Sequence, residues 1–341
     1  MGGKLFNTSR INREQYDYTL NLFKQAMAEH DITVTDIPFF RQKDSFGDID
    51  VITTSEQIGK LGDNWLETLT ETLNNYSDTE TSGKQGTGVK SFKFNNTQVD
   101  LIYVPECIYE RTYQMLSWND LSGFVGIIMR KLGLRLSNKN GIGIKLSKYT
   151  NYDIEGNANW LYFDLPLEVA INIVGLDYDR FLKGFDTKEE IFDYVTSSPY
   201  YSYGLFSYEN GNNKHRQRNK ERGTFKEMLE YCETHKRLVE PKEVVLEEVL
   251  SIIADIVSED VYDLLFSEAQ KRYLKQQSSR ILRDCRMEAI SKVLDLIHPD
   301  LDEVEQKKQL GGYYKSGVIN SGMTIEEIVN NLMSCKSTST F

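Results

Sequence analysis

Two carboxylates, Asp48 and Asp50, flank Ile49 in the stretch "DSFGDIDVITT" (residues 44 to 54), at the start of a β-prone run. Side chains two apart on a strand share a face. The acids therefore project together, while Ile49 and Val51 point the other way, into a core. Adjacent like charges repel, so such a pair is either a solvated rim or a seat for a divalent cation. Taken alone, an acid pair near a strand start is more often an ordinary solvated turn. A third acid, Asp100, is embedded in the apolar run "QVDLIYV", where burial without a partner is costly. If that strand lies beside the first, three carboxylates converge. Such a set suits hard, oxygen-seeking cations such as magnesium in sites shared with substrate phosphates. A pair of these ions can activate an attacking hydroxyl and stabilise a leaving pyrophosphate.

The surrounding pattern predicts the elements that must position these acids. Tyr16, Leu20, Phe23 and Met27 recur at helical spacing after the cap-forming Asn12. "ITVTDIPFF" and "DIDVITT" read as strands, and Trp65, Leu66, Leu69 and Leu73 form a second helical stripe. "SDTETSGKQGTG" reads as a polar loop. "VKSFKF", a tight "NNT" and "QVDLIYV" read as an antiparallel hairpin. Residues 10 to 105 thus form a small α+β unit with a mixed sheet. Beyond Pro105, "ERTYQMLSWNDLSGFVGIIMRKLGL" predicts one helix or two short ones, and "LRLSNKNGIGIKL" a hairpin about Asn140-Gly141. Asp186-Thr187 before Glu189-Glu190 comes close to a capping box. From about residue 214 the pattern is almost wholly helical, punctuated by Pro241 and Pro299 and interrupted at "GGYYKSGVINSG".

The 341 residues suffice for two or three domains. No apolar run approaches the ~20 residues of a membrane helix, and the start of the chain carries no apolar signal-peptide core. Membrane partners are therefore not expected. Cys107, Cys232, Cys285 and Cys335 are scattered, as are the four histidines. That pattern points to reduced thiols in a cytoplasmic compartment, without a disulfide frame or a zinc site. A net charge of −11 argues against a nonspecific nucleic-acid coat, so nucleic-acid contact would have to come from local basic patches. Lys214, Arg216 and Arg218 form one, with Lys220 and Arg222 beside them. Arg272, Lys275, Arg283 and Arg286 form another, on a helix expected to bury Tyr273, Leu274, Ile281 and Leu282. Tyr200, Tyr201 and Tyr203 could stack on bases or pack in a core. The acid-faced stripe "KEVVLEEVLSIIADIVSEDVYDLLF" reads as bundle core or as a surface for a protein partner.

Over about residues 30 to 200 the chain resembles the DNA polymerase beta superfamily of nucleotidyltransferases, most of all the family X DNA polymerases. "FFRQKDSFGDIDVITT" looks like the palm signature, and "QVDLIYVP" resembles the strand that carries the third metal acid. "LSWNDLSGFVGIIMRKLGL" and "DTKEEIFDYVTSSPY" resemble the start and the end of the nucleotide-selecting subdomain. The resemblance implies that Asp48 and Asp50 bind two magnesium ions, with manganese as a substitute. It implies that Asp100 completes the catalytic site and helps the primer hydroxyl lose its proton. It places Arg41 on the triphosphate, with Gly47 allowing close approach of the backbone. Trp118 falls against the nucleotide sugar, and Arg130 facing the nascent pair or template. Two departures stand out. Ile37-Pro38 replaces the family's phosphate-holding Gly-Ser, leaving Lys43 to supply that grip. Phe46 occupies the place of the family's second serine, and Ser45 comes one residue early.

The fold expected is α+β: a nucleotidyltransferase palm with a mixed sheet and flanking helices (1–115), a small α/β thumb-like subdomain (116–205) and an all-helical C-terminal domain (206–341). The function implied is metal-dependent addition of a nucleoside monophosphate, from an NTP or dNTP, to a DNA or RNA 3′ hydroxyl. The alternatives are template-independent addition to an RNA or tRNA end, and a catalytically degenerate binding or scaffold module.

Overall fold

The computed structural model describes residues 5–82, 88–202, 204–210, 213–235, 241–257 and 260–338. They divide into two compact units: Met1–Tyr149 with Trp160–Leu265, and Thr150–Asn159 with Phe266–Phe341.

In the first unit, β1 (Ile11–Asn12) leads into α1 (Arg13–Ala28). The helix start is fixed reciprocally: the Asn12 side chain accepts from the Gln15 N–H, and the Gln15 side chain accepts from the Asn12 N–H. Tyr16, Leu20, Phe23 and Met27 are all buried, as their spacing predicts. There follow β2 (Thr35–Asp36), β3 (Ser45–Phe46), β4 (Asp48–Thr54), α2 (Ser55–Gly59), α3 (Trp65–Asn74), β5 (Thr79–Ser82), β6 (Val89–Phe94) and β7 (Thr97–Val104).

Five of these strands form a mixed sheet in the order β2-β4-β7-β6-β5, in which β4 and β7 run parallel and the other pairs antiparallel. The β6–β7 hairpin turns on Asn95 and Asn96, both left-handed with φ of 49° and 56°. That is the backbone a two-residue hairpin turn requires and that asparagine tolerates best among side-chain-bearing residues. The stretch expected to be only a loop contributes β5, an edge strand on β6. A polar Thr-rich segment serves there because an edge strand pairs on one side only and presents the rest to solvent. The Gly-rich residues 83–87 lie outside the described residues.

One face of the sheet carries the main core. Ile49, Val51, Val99 and Leu101 pack there with Phe92 and Phe94 against Phe23 of α1 and Leu69 and Leu73 of α3. The opposite face is covered only in part. Ile52, Ile102 and Val104 pack under Tyr109 and Tyr113 of α4 (Tyr109–Leu116). Because side chains alternate, this is also the face of Asp48, Asp50, Gln98 and Asp100. The helix roofs the later half of β4 and β7 and leaves the earlier half open.

The remainder of the unit comprises α5 (Leu121–Lys131), β8 (Leu134–Ser137), β9 (Gly141–Lys145), α6 (Leu146–Tyr149), β10 (Trp160–Phe163), α7 (Leu167–Ile173), α8 (Tyr178–Lys183), α9 (Lys188–Thr196), α10 (Asn213–Glu221), α11 (Gly223–Thr234) and α12 (Leu246–Val257). Trp118 and Asn119 separate α4 from α5, each with φ of 61°. The β8–β9 hairpin gains a third antiparallel strand, β10. At α9, Thr187 caps the Glu190 N–H at 3.2 Å, while the Glu190 carboxylate accepts from the Asp186 N–H at 3.0 Å. The reciprocal bond thus falls one residue before the cap.

The 37-residue α13 (Val261–Ile297) leads from the first unit into the second, which also holds α14 (Glu303–Lys315) and α15 (Ile325–Thr338). Its core is small: Ile290, Val293 and Leu294 with Ile319, Ile328 and Leu332. Two expectations fail here. Leu274, Ile281 and Leu282 are exposed rather than buried, because the apolar layer of this unit gathers at the end of α13 and not along its middle. The Gly311-Gly312 pair sits inside α14, and the interruption begins only at Ser316. Asp302 and Glu305 cap α14 reciprocally, which fixes the helix firmly enough to carry two glycines. Among the described residues no helix is long and apolar enough to cross a membrane.

Candidate metal centre

The parallel pairing of β4 with β7 sets Asp50 directly beside Asp100 and Asp48 beside Gln98. One carboxylate oxygen from each of Asp48, Asp50 and Asp100 can be chosen so that all lie within 4.8 Å of one another. Two neighbours orient Asp100. The Gln98 amide donates to both of its oxygens, at 3.0 and 3.1 Å. Ser91, its cross-strand partner on β6, hydrogen-bonds it as well. The Gln98 side-chain oxygen, Oε1, in turn accepts the Leu5 N–H at 3.3 Å, which fixes the sense of the amide.

Loss of surrounding water in the cleft, then the charges of Asp48 and Asp100, push the Asp50 carboxyl up to about 7. Asp50 nevertheless keeps contact with solvent, so relief of the mutual repulsion is what a bound cation would add. Asp100 is also raised, by burial first, against the lowering pull of its Ser91 and Gln98 hydrogen bonds. Three hard oxygen donors that repel one another, on one open strand face, fit a divalent cation of the magnesium type.

Tyr16, Phe39, Phe46 and Asn119 wall the cleft with Lys43. The Lys43 ammonium lies 5.2 Å from the Phe39 ring centroid and 4.8 Å from that of Phe46. Burial lowers its affinity for its proton, and Asp48 and Asp50 oppose that shift. Ser45 is held by Arg10, whose guanidinium donates to its hydroxyl at 2.8 Å and to its carbonyl at 2.6 Å. Gly47 is buried between β3 and β4 and does not adopt a left-handed backbone.

Arg41 is committed elsewhere. Its guanidinium pairs with Asp186 at 2.5 Å and donates to the Lys183 carbonyl, and its N–H donates to the Phe185 carbonyl at 2.9 Å. It does not line the cleft. The Ile37-Pro38 pair has a structural use: the Ile37 N–H donates to the Asp50 carbonyl at 3.1 Å, and the Pro38 carbonyl accepts the Trp118 N–H at 2.8 Å. Proline loses nothing by lacking a donor there. Trp118 meets Phe185 edge-on at 5.8 Å and rests on Gly184. A Cβ at Gly184 would come within 2.2 Å of the indole, at a backbone φ of 76°. Gly184→Ala is therefore expected to cost about 2 kcal/mol or more and to shift the tryptophan emission. An unchanged melting temperature and spectrum would contradict this seating.

The other basic residues lie away from the acids. Arg130 opens from α5 into a groove shared with Arg218 of α10, and Arg216 is exposed on α10. The Lys214 side chain lies outside the described residues, as does Tyr203. Tyr200 and Tyr201 are buried, which removes them as stacking platforms. In the second unit, Arg272 is tied to Glu268 at 2.9 Å and to the Ala158 carbonyl at 3.1 Å. Lys275 lines a shallow cavity beside it, and Arg283 lies 3.9 Å from Asp284. Sequence reasoning missed Gln98, Ser91, Asn119 and Arg10. Gln98 was open to discovery, since two residues before Asp100 on one strand means the same face; the others approach through pairing and turns.

No family model and no curated protein matches the chain. Among solved structures it is similar to a polymerase beta. Two structures of Leishmania infantum polymerase beta, a ternary P/T complex and a ternary gap complex, align over 50% of this chain and over 74% and 69% of theirs. Sequence identity is 12% and the TM-score 0.36 for each. The chemistry of the centre rests on its own residues.

Proposed function

We propose that the protein is a metal-dependent nucleotidyltransferase that adds a nucleoside monophosphate from an NTP or dNTP to a nucleic-acid 3′ hydroxyl. The observation that carries this reading is the convergence of Asp48, Asp50 and Asp100 on one open strand face. In the reaction the 3′ oxygen bonds to the α-phosphorus, the bond from that phosphorus to the pyrophosphate oxygen breaks, and the hydroxyl loses its proton. Asp48 and Asp50 would hold two magnesium or manganese ions, and Asp100 would complete the site of one. Such ions supply charge neutralisation and a more acidic bound hydroxyl. The chain's own part is positioning. Gln98 and Ser91 fix the Asp100 carboxylate to receive the hydroxyl proton. Lys43, on the cleft wall, is the cation that would meet the triphosphate in place of the missing Gly-Ser and of the engaged Arg41. Residues 1–115 would serve as palm and 116–205 as the nucleotide-selecting part, with Trp118 toward the sugar.

The test is incorporation from labelled dNTPs and NTPs, with magnesium or manganese, on primed DNA, gapped DNA and RNA. Incorporation that depends on metal is expected on at least one acceptor. Its absence on all of them, from a folded protein, would overturn the reading. The engagement of Arg41 by Asp186 favours one rival, a catalytically silent binding module, which would bind nucleic acid without incorporating.

A further inference from the structure

One wall of the acid cleft carries a buried phenol where a plain phenyl ring would pack as well. Tyr16 of α1 is 3% exposed and belongs to the main core. Its ring meets Phe39 edge-on at 5.3 Å and lies tilted on Phe46 at 4.3 Å, so two neighbours fix its plane. The residue also lines the cleft, in one pocket with Ile37, Pro38, Lys43, Asp48 and Asp50. Among the described residues its hydroxyl has no hydrogen-bond partner. The oxygen is not sealed off from solvent either, and the cleft is the open space that Tyr16 lines. Taking a phenol out of water without a partner is costly, and buried tyrosines ordinarily find one. Like other phenols it carries its proton at neutral pH. Burial, then the charges of Asp36 and Asp50, strengthen that hold. The hydroxyl is thus a fixed donor that lacks an acceptor.

We propose that Tyr16 is a phosphate-binding residue, whose hydroxyl donates to a non-bridging oxygen of the metal-bound triphosphate. The inference rests on the nucleotidyltransferase reading for the identity of that phosphate. Two features of the pocket favour a phosphate. The first is its donor set. Lys43 lines it, and so does Asn119, whose side-chain oxygen accepts the Phe40 N–H at 3.4 Å and whose NH2 is left as the donor end. These donors share the space with Asp48 and Asp50, which can hold a cation. A cation there draws an anion, and the donors define where its oxygens rest. The second is size: the pocket measures 50 Å³, which suits a phosphate group and not a nucleobase. Pro38 lies in the same pocket and can donate neither from its side chain nor from its backbone. The hydroxyl missing there comes instead from α1, a helix that precedes the sheet, and the Phe39 and Phe46 rings hold it in place before substrate arrives.

The test is calorimetric titration of the full chain with magnesium dATP and with magnesium tripolyphosphate, without an acceptor. Tyr16→Phe keeps the ring and its packing and removes only the hydroxyl. It is expected to weaken both ligands by the same factor, about tenfold or more. The melting temperature in EDTA should stay level or rise, because a buried group without a partner is lost. Where the wild type incorporates, KM for the nucleotide should rise by that factor while kcat stays within about threefold. Tyr18→Phe, exposed on the same helix, is expected to change neither binding nor KM. Unchanged affinity for both ligands in Tyr16→Phe would overturn the proposal. So would a loss confined to dATP, which would mark a sugar or base contact, or a loss that merely follows a lower melting temperature. Weaker tripolyphosphate binding by Tyr16→Phe, with no incorporation by the wild type, upholds the contact and removes the activity. Incorporation with affinity and KM unaffected by the change does the reverse.

Discussion

Asp100→Asn is expected to lower metal-dependent nucleotide incorporation by about a thousand-fold, with the protein still folded. The amide keeps the size of the carboxylate and can still accept the Gln98 N–H that now reaches Asp100 at 3.0 Å. On the proposed reading it would lose the negative charge that completes the cation site and the basicity that receives the hydroxyl proton. Removing one of three mutually repelling carboxylates also relieves the apo fold, so the melting temperature without metal should stay level or rise. That pairing of lost activity with kept stability separates a chemical role for Asp100 from a structural one. Incorporation in the variant within a few-fold of wild type would sink the assignment. A fall in activity that merely tracks a fall in melting temperature would sink it as well.

The second large effect is a coupling of stability to pH and to magnesium. Asp50 is raised from an ordinary value of 3.8 to about 7 in the folded protein. The folded state therefore holds this proton more tightly than the unfolded chain does. Its contribution is fully favourable below 3.8 and is lost as the pH rises through about 7. Because Asp50 keeps solvent contact, screening reduces the effect, and a loss of about 1–2 kcal/mol over that window is expected. Magnesium competes with the proton, so it should restore stability above pH 7 and do little at pH 4. Calorimetry of wild type and Asp50→Asn, in EDTA and in magnesium, reads both effects as differences. Identical pH slopes in the two proteins, or no response of the wild type to magnesium, would contradict the centre.

Much of the scaffold was legible because its rules are local. The stripe of Tyr16, Leu20, Phe23 and Met27 fixes both a helix and its buried face. The paired asparagines at 95 and 96 fix a hairpin and, through it, the register of β6 on β7. What failed were judgements that depend on neighbours distant in sequence. Thr79–Ser82 is a strand only because β6 offers an edge. Leu274, Ile281 and Leu282 look like core on a helical wheel, yet they lie along a part of α13 that no apolar layer of its unit covers. Arg41 looks free to meet a phosphate until the 183–186 segment, far along the chain, takes its guanidinium.

The centre itself divides in the same way. Alternation along a strand is a property of the backbone, so the sequence alone determined that Asp48 and Asp50 share a face and that Asp100 breaks an apolar run. That β7 lies parallel to β4 with Asp50 beside Asp100 was decided by the tertiary structure, because strand order and register are settled by which apolar faces are buried together. The same holds for the open half of that face. It exists because α4 ends its cover at Ile52 and Ile102, and only packing sets where a helix stops covering a sheet.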